Sequence, residues 1–148
     1  MEIVSIYKPF YLRCLVDFLL SVLIFLLIIL FIPVGIWAKI FILLILLISS
    51  VLPSFYIQKY CVVYLKFDED LVMVEYYRYN TLIKESFPFT EFDLLYAGYY
   101  SPANTGVGLV FRRNKKKFLV QYEYSIWKKG LMVELFDYVK NRRKKYYQ

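Results

Sequence analysis

The stretch Val110–Val120, VFRRNKKKFLV, places five basic residues among six consecutive positions, between two alternating apolar runs. Arg112, Arg113, Lys115, Lys116 and Lys117 form this cluster, and Lys140, Arg142, Arg143, Lys144 and Lys145 form a second one. Such cations bind phosphate or carboxylate, so nucleic acid, an anionic lipid headgroup, a protein partner and plain solvent are all open to them. Other chemistry is thinly provided. The chain has no histidine, which removes His general bases, Ser–His and Cys–His nucleophile pairs and His-ligated metals. Cys14 and Cys61 are too few for a metal cage or a disulfide framework and read as small apolar filler. The carboxylates Asp68, Glu69, Asp70, Glu85, Glu91 and Asp93 show no metal-ligand spacing, and neither a Gly-rich phosphate loop nor a nucleophile elbow is present. The expectation is a protein that binds, with no enzymatic activity, cofactor or metal.

The positive character is local. From Gln58 to Gln148 there are 16 Lys or Arg against 10 Asp or Glu, a net of +6; without the ten clustered cations the count is 6 against 10, or −4. An aromatic-rich sheet with nearby cations can stack bases, but these tyrosines follow strand alternation and no recognition motif accompanies them, so nucleic acid is not expected. An anionic membrane surface suits the clusters better, because each Lys or Arg held close to it contributes roughly 1 kcal/mol. The plainer account is a solvated hairpin tip and a helix end whose cations complement its dipole.

The elements that position these clusters begin with a membrane anchor. The chain of 148 residues is 60% hydrophobic, above the roughly 45–50% of soluble domains. Leu15–Ile32 and Ile40–Ile57 are nearly uninterrupted apolar runs of 18 residues each, about 27 Å as helices against a hydrocarbon core of about 30 Å. PVGIWAK, Pro33–Lys39, separates them with helix breakers and boundary residues. No small-x-small cleavage site follows the first run, so an uncleaved helical hairpin is expected, with spans at about 15–32 and 36–57. Asp17 reads as the i,i+4 partner of Arg13, and Pro53 after Ser49 and Ser50 as a kink. Lys8 and Arg13 precede the first span, Lys39 lies in the connection, and Lys59 begins a basic remainder. That distribution puts both termini on the cytoplasmic side.

Residues 58–148 form the second expected domain, and their pattern changes to period two. YCVVYLKF (60–67), LVMVEYYRY (71–79), LIKESFPF (82–89), FDLLYAGYY (92–100), GVGLVFRR (106–113) and KFLVQYEY (117–124) read as six strands. Asp68-Glu69-Asp70, Asn80-Thr81 and Ser101–Gly106 are the turns. In the last strand Phe118, Val120, Tyr122 and Tyr124 are expected to share the apolar face, with Lys117, Gln121 and Glu123 opposite. Ser125 is a candidate N-cap, and Leu131, Met132, Leu135, Phe136 and Val139 recur at helical spacing, predicting a helix over about 128–144. The fold class is α+β: a transmembrane hairpin, then a small, strongly bent antiparallel sheet capped by an amphipathic C-terminal helix.

Two apolar spans, then FDEDLVMVEYYRYNTLIKESFPFTEFDLLY, a hairpin and a final helix resemble the YcxB-like bacterial membrane proteins, whose soluble part is similar to a pleckstrin-homology (PH-like) domain. The resemblance implies a seven-stranded bent barrel or sandwich, closed at one end by the helix, that serves as an adaptor or scaffold. The six strands counted here fall one short of that. Phosphoinositide-binding members of the wider fold carry basic residues between their first two strands; here that turn is read as Asp68-Glu69-Asp70, which is acidic. The resemblance therefore implies a multi-pass protein of the bacterial inner membrane, integral in the lipid bilayer, whose PH-like domain contacts anionic phospholipid headgroups or a protein partner. A rival reading makes the hairpin itself the working surface, as in an immunity protein or a small membrane-complex subunit.

Overall fold

Alternating residues build seven strands in two antiparallel sheets, one strand more than the sequence pattern suggests. The structure is a computed structural model that describes residues 1–31, 33–101, 104–123 and 126–146, with side chains except at 16–17, 50–51, 53–54, 99–101 and 104–105. The first sheet has the order β1 (Glu2–Val4), β2 (Tyr60–Phe67), β3 (Leu71–Arg78), β4 (Thr81–Pro88). A 3-10 turn at Phe89–Glu91 leads to the second sheet, β5 (Phe92–Ser101), β6 (Asn104–Arg113) and β7 (Lys116–Tyr122). The helix α3 follows at Lys129–Tyr146.

The strand missing from the six is β1, and it precedes both apolar helices. Glu2, Ile3 and Val4 lie opposite Lys66, Leu65 and Tyr64, and the ladder is extended by Phe67 N–H to Met1 O at 2.9 Å and Ser5 N–H to Val63 O at 2.7 Å. Ile3 is only 6% exposed and joins the core. Three residues are too short to display a period of two, which is why pattern reading passes over them. One consequence corrects the sequence reading: Asp68-Glu69-Asp70 joins the second and third strands, and the connection between the first and second is the helical segment itself.

The chain accordingly divides into two compact units, Met1–Tyr7 with Tyr60–Gln148 and, separately, Lys8–Lys59. The first seven residues belong with the sheets, which differs from a division at 57/58.

In the helical unit, α1 (Phe10–Phe31) and α2 (Ile36–Ile57) are each 22 residues long. Among the described residues α1 alone is long and apolar enough to cross a membrane, with mean hydropathy 3.1 over an 18-residue window of which 12% is buried; in α2 the described apolar stretch is Ile36–Ser49. Phe10 meets Phe55 edge-on at 5.3 Å, so the start of α1 lies beside the end of α2. Arg13 does the same with charge. Its guanidinium donates to Gln58 O at 2.7 Å, satisfying a carbonyl just past the last turn of α2, where a cation suits the helix dipole. The expected partner Asp17, and the Pro53 kink, fall on side chains outside the described residues. Ser49 Oγ donates to Leu46 O at 2.8 Å.

In the β unit the core is aromatic. Phe67, Phe87, Phe92 and Phe111 pack as tilted or edge-on rings, and Trp127 meets Phe111 edge-on at 6.3 Å, geometries that suit ring quadrupoles. On β7 the expected face holds in part: Phe118 packs against the core and Val120 is buried, but Leu119 and Gln121 are buried as well. A bulge between β6 and β7 shifts the register after Phe111, so that Phe111 faces Leu119 while Arg112 faces Lys117. One inserted residue reverses the alternation beyond it, and Leu119 and Gln121 are buried in the core where alternation alone assigns Gln121 to the polar face. Gly108 is required by the same strand pair: a Cβ there would meet the Tyr122 ring at 2.8 Å.

The buried Gln121 has a structural task. Beyond the short β1, the edge of β2 at Val62 has no strand beside it. Val62 N–H donates to Gln121 Oε1 at 2.7 Å, and Trp127 Nε1 donates to Val62 O at 2.9 Å. Two side chains from the β7–α3 segment thus stand in for the absent strand and join the two sheets. The helix prediction shifts by a residue or two at each end, and its candidate cap Ser125 lies outside the described residues. Strands β5 and β6 run on to Ser101 and from Asn104, shortening the expected loop.

Candidate functional site

The ten clustered cations separate by residue type. All four arginines are engaged. Arg112 and Arg143 converge on the Asp93 carboxylate, the latter at 2.7 Å. Arg113 pairs with Glu91 at 2.6 Å and lies 5.2 Å from the centre of the Phe87 ring. Arg142 donates to the carbonyls of Asp68 and Glu69 and sits 4.6 Å over Phe89. A planar, weakly hydrated guanidinium with five donors suits such carbonyl and carboxylate clamps, where a lysine would not. Burial opposes the Arg142 charge, but hydrogen bonds with Tyr146 and Tyr138 carry its pKa above the ordinary value.

The lysines behave differently. Lys115, Lys116, Lys117, Lys140, Lys144 and Lys145 are all exposed, and none of their side chains has an ion pair or hydrogen bond among the described residues. The first two clusters of the sequence are therefore one framework of arginines and one outward set of lysines. Lys116 follows a two-residue turn in which Asn114 and Lys115 both take positive φ, 50° and 65°, matching the twist of a tight hairpin.

Five of the six carboxylates considered for chemistry are occupied by the fold, and Glu69 is exposed. Asp93 and Glu91 hold arginines. Asp68 pairs with Lys66 at 3.2 Å, raising the Lys66 pKa through that hydrogen bond, and Asp70 accepts from the Tyr146 hydroxyl at 2.6 Å. Glu85 accepts from Tyr76 at 2.7 Å; burial, then this carboxylate, pushes the Tyr76 hydroxyl well above the usual tyrosine range. Among the described residues no three Cys, Asp or Glu side chains gather as a metal-binding group.

What sequence reasoning misses is a cleft of about 470 Å3 between β5 and α3, within the ~300–1,000 Å3 typical of ligand sites. Leu94, Leu95, Phe136 and Val139 make its apolar lining, while Asp93, Arg143, Lys140 and Lys144 edge it. The pair Tyr96–Phe136, with ring centroids 4.5 Å apart, connects the same two elements. Asp93 is more than offset by Arg112 and Arg143, and Lys140 and Lys144 add two further positive charges at the rim. The only sequence signal for this cleft is the spacing Phe136, Lys140, Lys144 along one helical face, which takes meaning only once β5 is placed beside it.

No family model, curated protein or solved structure matches the chain.

Proposed function

We propose that the chain is a non-catalytic binding module held at the bacterial inner membrane by a two-helix anchor, with the β unit on the cytoplasmic side. The pairing of β1 with β2 carries this reading. Residues 2–4 and 64–66 share one sheet, so they lie on the same side of any bilayer, and the segment between them crosses an even number of times. The apolar, outward side chains of α1 and of α2, among them Leu19, Leu23, Leu44 and Ile48, need a hydrocarbon cover. Two crossings supply it, and the shared sheet supports two over one. The excess of Lys and Arg outside the hairpin directs that shared side to the cytoplasm. Seven strands in sheets of four and three, closed by a C-terminal helix, support the resemblance to PH-like domains of YcxB-like proteins. The six unpaired lysines are the surface this module offers to anionic groups, whether leaflet headgroups or an acidic partner.

Both native cysteines are buried, Cys61 to 1% exposure, so the test uses introduced ones in a Cys14→Ala, Cys61→Ala background. Gly35→Cys, in the connection between the helices, is expected to react with a membrane-impermeant maleimide in intact spheroplasts. Lys116→Cys, at the β6–β7 turn, is expected to react only after permeabilisation. Labelling of Lys116→Cys in intact spheroplasts defeats the cytoplasmic assignment, and labelling of Gly35→Cys only after permeabilisation defeats the two crossings.

A further inference from the structure

The second sheet ends on β5, which pairs with β6 along its whole length, while on its other edge Phe92 N–H donates to Phe89 O and, among the described residues, no backbone hydrogen bond is made beyond Phe92. Successive side chains of a strand point to opposite faces, so Leu94 faces one side of β5 and Asp93 and Leu95 the other. A cleft that touches all three runs along the strand's edge, and its opposite wall is α3. Exposed edges are ordinarily protected. β4, the open edge of the first sheet, carries Lys84, Glu85 and Pro88, and β1 is three residues long. By contrast, β5 is ten residues long, FDLLYAGYYS, with one charge near its start, no proline and no bulge against β6.

We propose that this groove accepts an extended acidic peptide segment as a fourth strand of the second sheet. Unpaired N–H and C=O groups in a row are satisfied by another extended backbone, and neither a helix nor a lipid headgroup reproduces that spacing. Every second side chain of the added strand lies on the face of Leu94 and Tyr96, toward Phe136. The intervening acidic side chains meet Lys140 and Lys144, whose charge nothing else on the rim neutralises. The proposal rests on reading the β unit as a binding module and is independent of the thiol-labelling result, which concerns only the number of crossings and their direction.

The test uses the full chain in phosphatidylcholine nanodiscs and a fluorescein-labelled peptide of alternating Glu and Val, followed by fluorescence polarisation. Two further peptides carry N-methyl groups on all Val or on all Glu amides, which removes donors from one edge of the strand at a time. One methylated peptide is expected to bind at least about tenfold more weakly and the other nearly as well as the parent, because strand pairing uses one edge. Lys140→Glu with Lys144→Glu is expected to weaken binding about tenfold at low salt, without lowering the melting temperature. The charge-matched Lys115→Glu, Lys116→Glu pair is expected to leave binding unchanged. Equal binding of both methylated peptides, equal binding of a Lys–Val peptide, or equal weakening by the control pair each overturns the proposal. If no peptide binds at about 1 mM and a benzophenone on Lys144→Cys crosslinks to phosphatidylglycerol in mixed nanodiscs, the rim belongs to the leaflet and the peptide site is overturned.

Discussion

Replacing Ile3 by alanine tests whether seven residues ahead of a long apolar helix belong to the core of a unit formed mostly by the other end of the chain. Ile3 lies opposite Leu65 and is 6% exposed, whereas its neighbour Val4 is 66% exposed. Ile→Ala at a buried site costs about 2–5 kcal/mol, part from lost transfer and part from the residual cavity. A short edge strand can move inward to fill some of that space, which favours the lower half of the range, about 2–3 kcal/mol. Val4→Ala removes a side chain already in solvent and is expected to cost no more than about 0.5 kcal/mol. For a unit of this size each kcal/mol moves the melting temperature by about 4–8 °C, so Ile3→Ala should melt about 10–20 °C lower and Val4→Ala within a few degrees. Trp127 is fully buried and Trp37 is 82% exposed, so in a Trp37→Phe background the emission shift of Trp127 on heating reports the β unit alone. Equal melting temperatures for the two variants would falsify the placement of β1 in the core, and with it the argument for an even number of crossings.

Gln121→Met keeps the side-chain length but leaves the Val62 N–H buried without an acceptor; thermal unfolding should show a loss of about 1–3 kcal/mol. Splicing residues 1–7 to 60–148 through a short Gly/Ser linker should yield a soluble monomer by size-exclusion chromatography. Residues 60–148 alone, lacking β1 and exposing the β2 edge, should aggregate. Tyr76 titrates above the ordinary tyrosine value of about 10 because burial and then Glu85 disfavour its anion. The folded state therefore holds this proton more tightly than the unfolded one, and the stabilisation is complete below about pH 10 and falls as pH rises further. Denaturant titrations should find Tyr76→Phe less stable at pH 8, with the gap to the parent protein narrowing above pH 10.

Much of the fold is legible in the pattern of residues because burial writes a period into the chain. The helices at Phe10–Phe31 and Ile36–Ile57 follow from apolar runs, and β2, β3 and β5 follow from alternation. The failures have local causes. Glu2–Val4 is too short to show a period, and the bulge near Phe118 accompanies the burial of Leu119 and Gln121 beside the expected Phe118 and Val120 without any sequence signal. The basic clusters mislead for a different reason. Their arginines are held by Asp93, Glu91 and the carbonyls of the Asp68–Asp70 turn, partners that lie about twenty to seventy residues away and come close only on folding. Residue type is the one clue available beforehand: guanidinium groups favour clamps and ammonium groups favour water.

The pairing of Ile3 with Leu65 also sets an order of birth. The first strand leaves the ribosome before either helix exists, and its partner follows some sixty residues later, several seconds at about 5–20 residues per second. During that wait it must neither pack onto the apolar helices nor pair with another edge. Glu2 within so brief a strand and Lys8 just after it give the segment a charge at each end. A secretory leader or bulky tag fused ahead of Met1 would act at this moment, carrying the strand away or hindering its return, and the cost would fall on a sheet whose remaining strands are all encoded after the apolar helices.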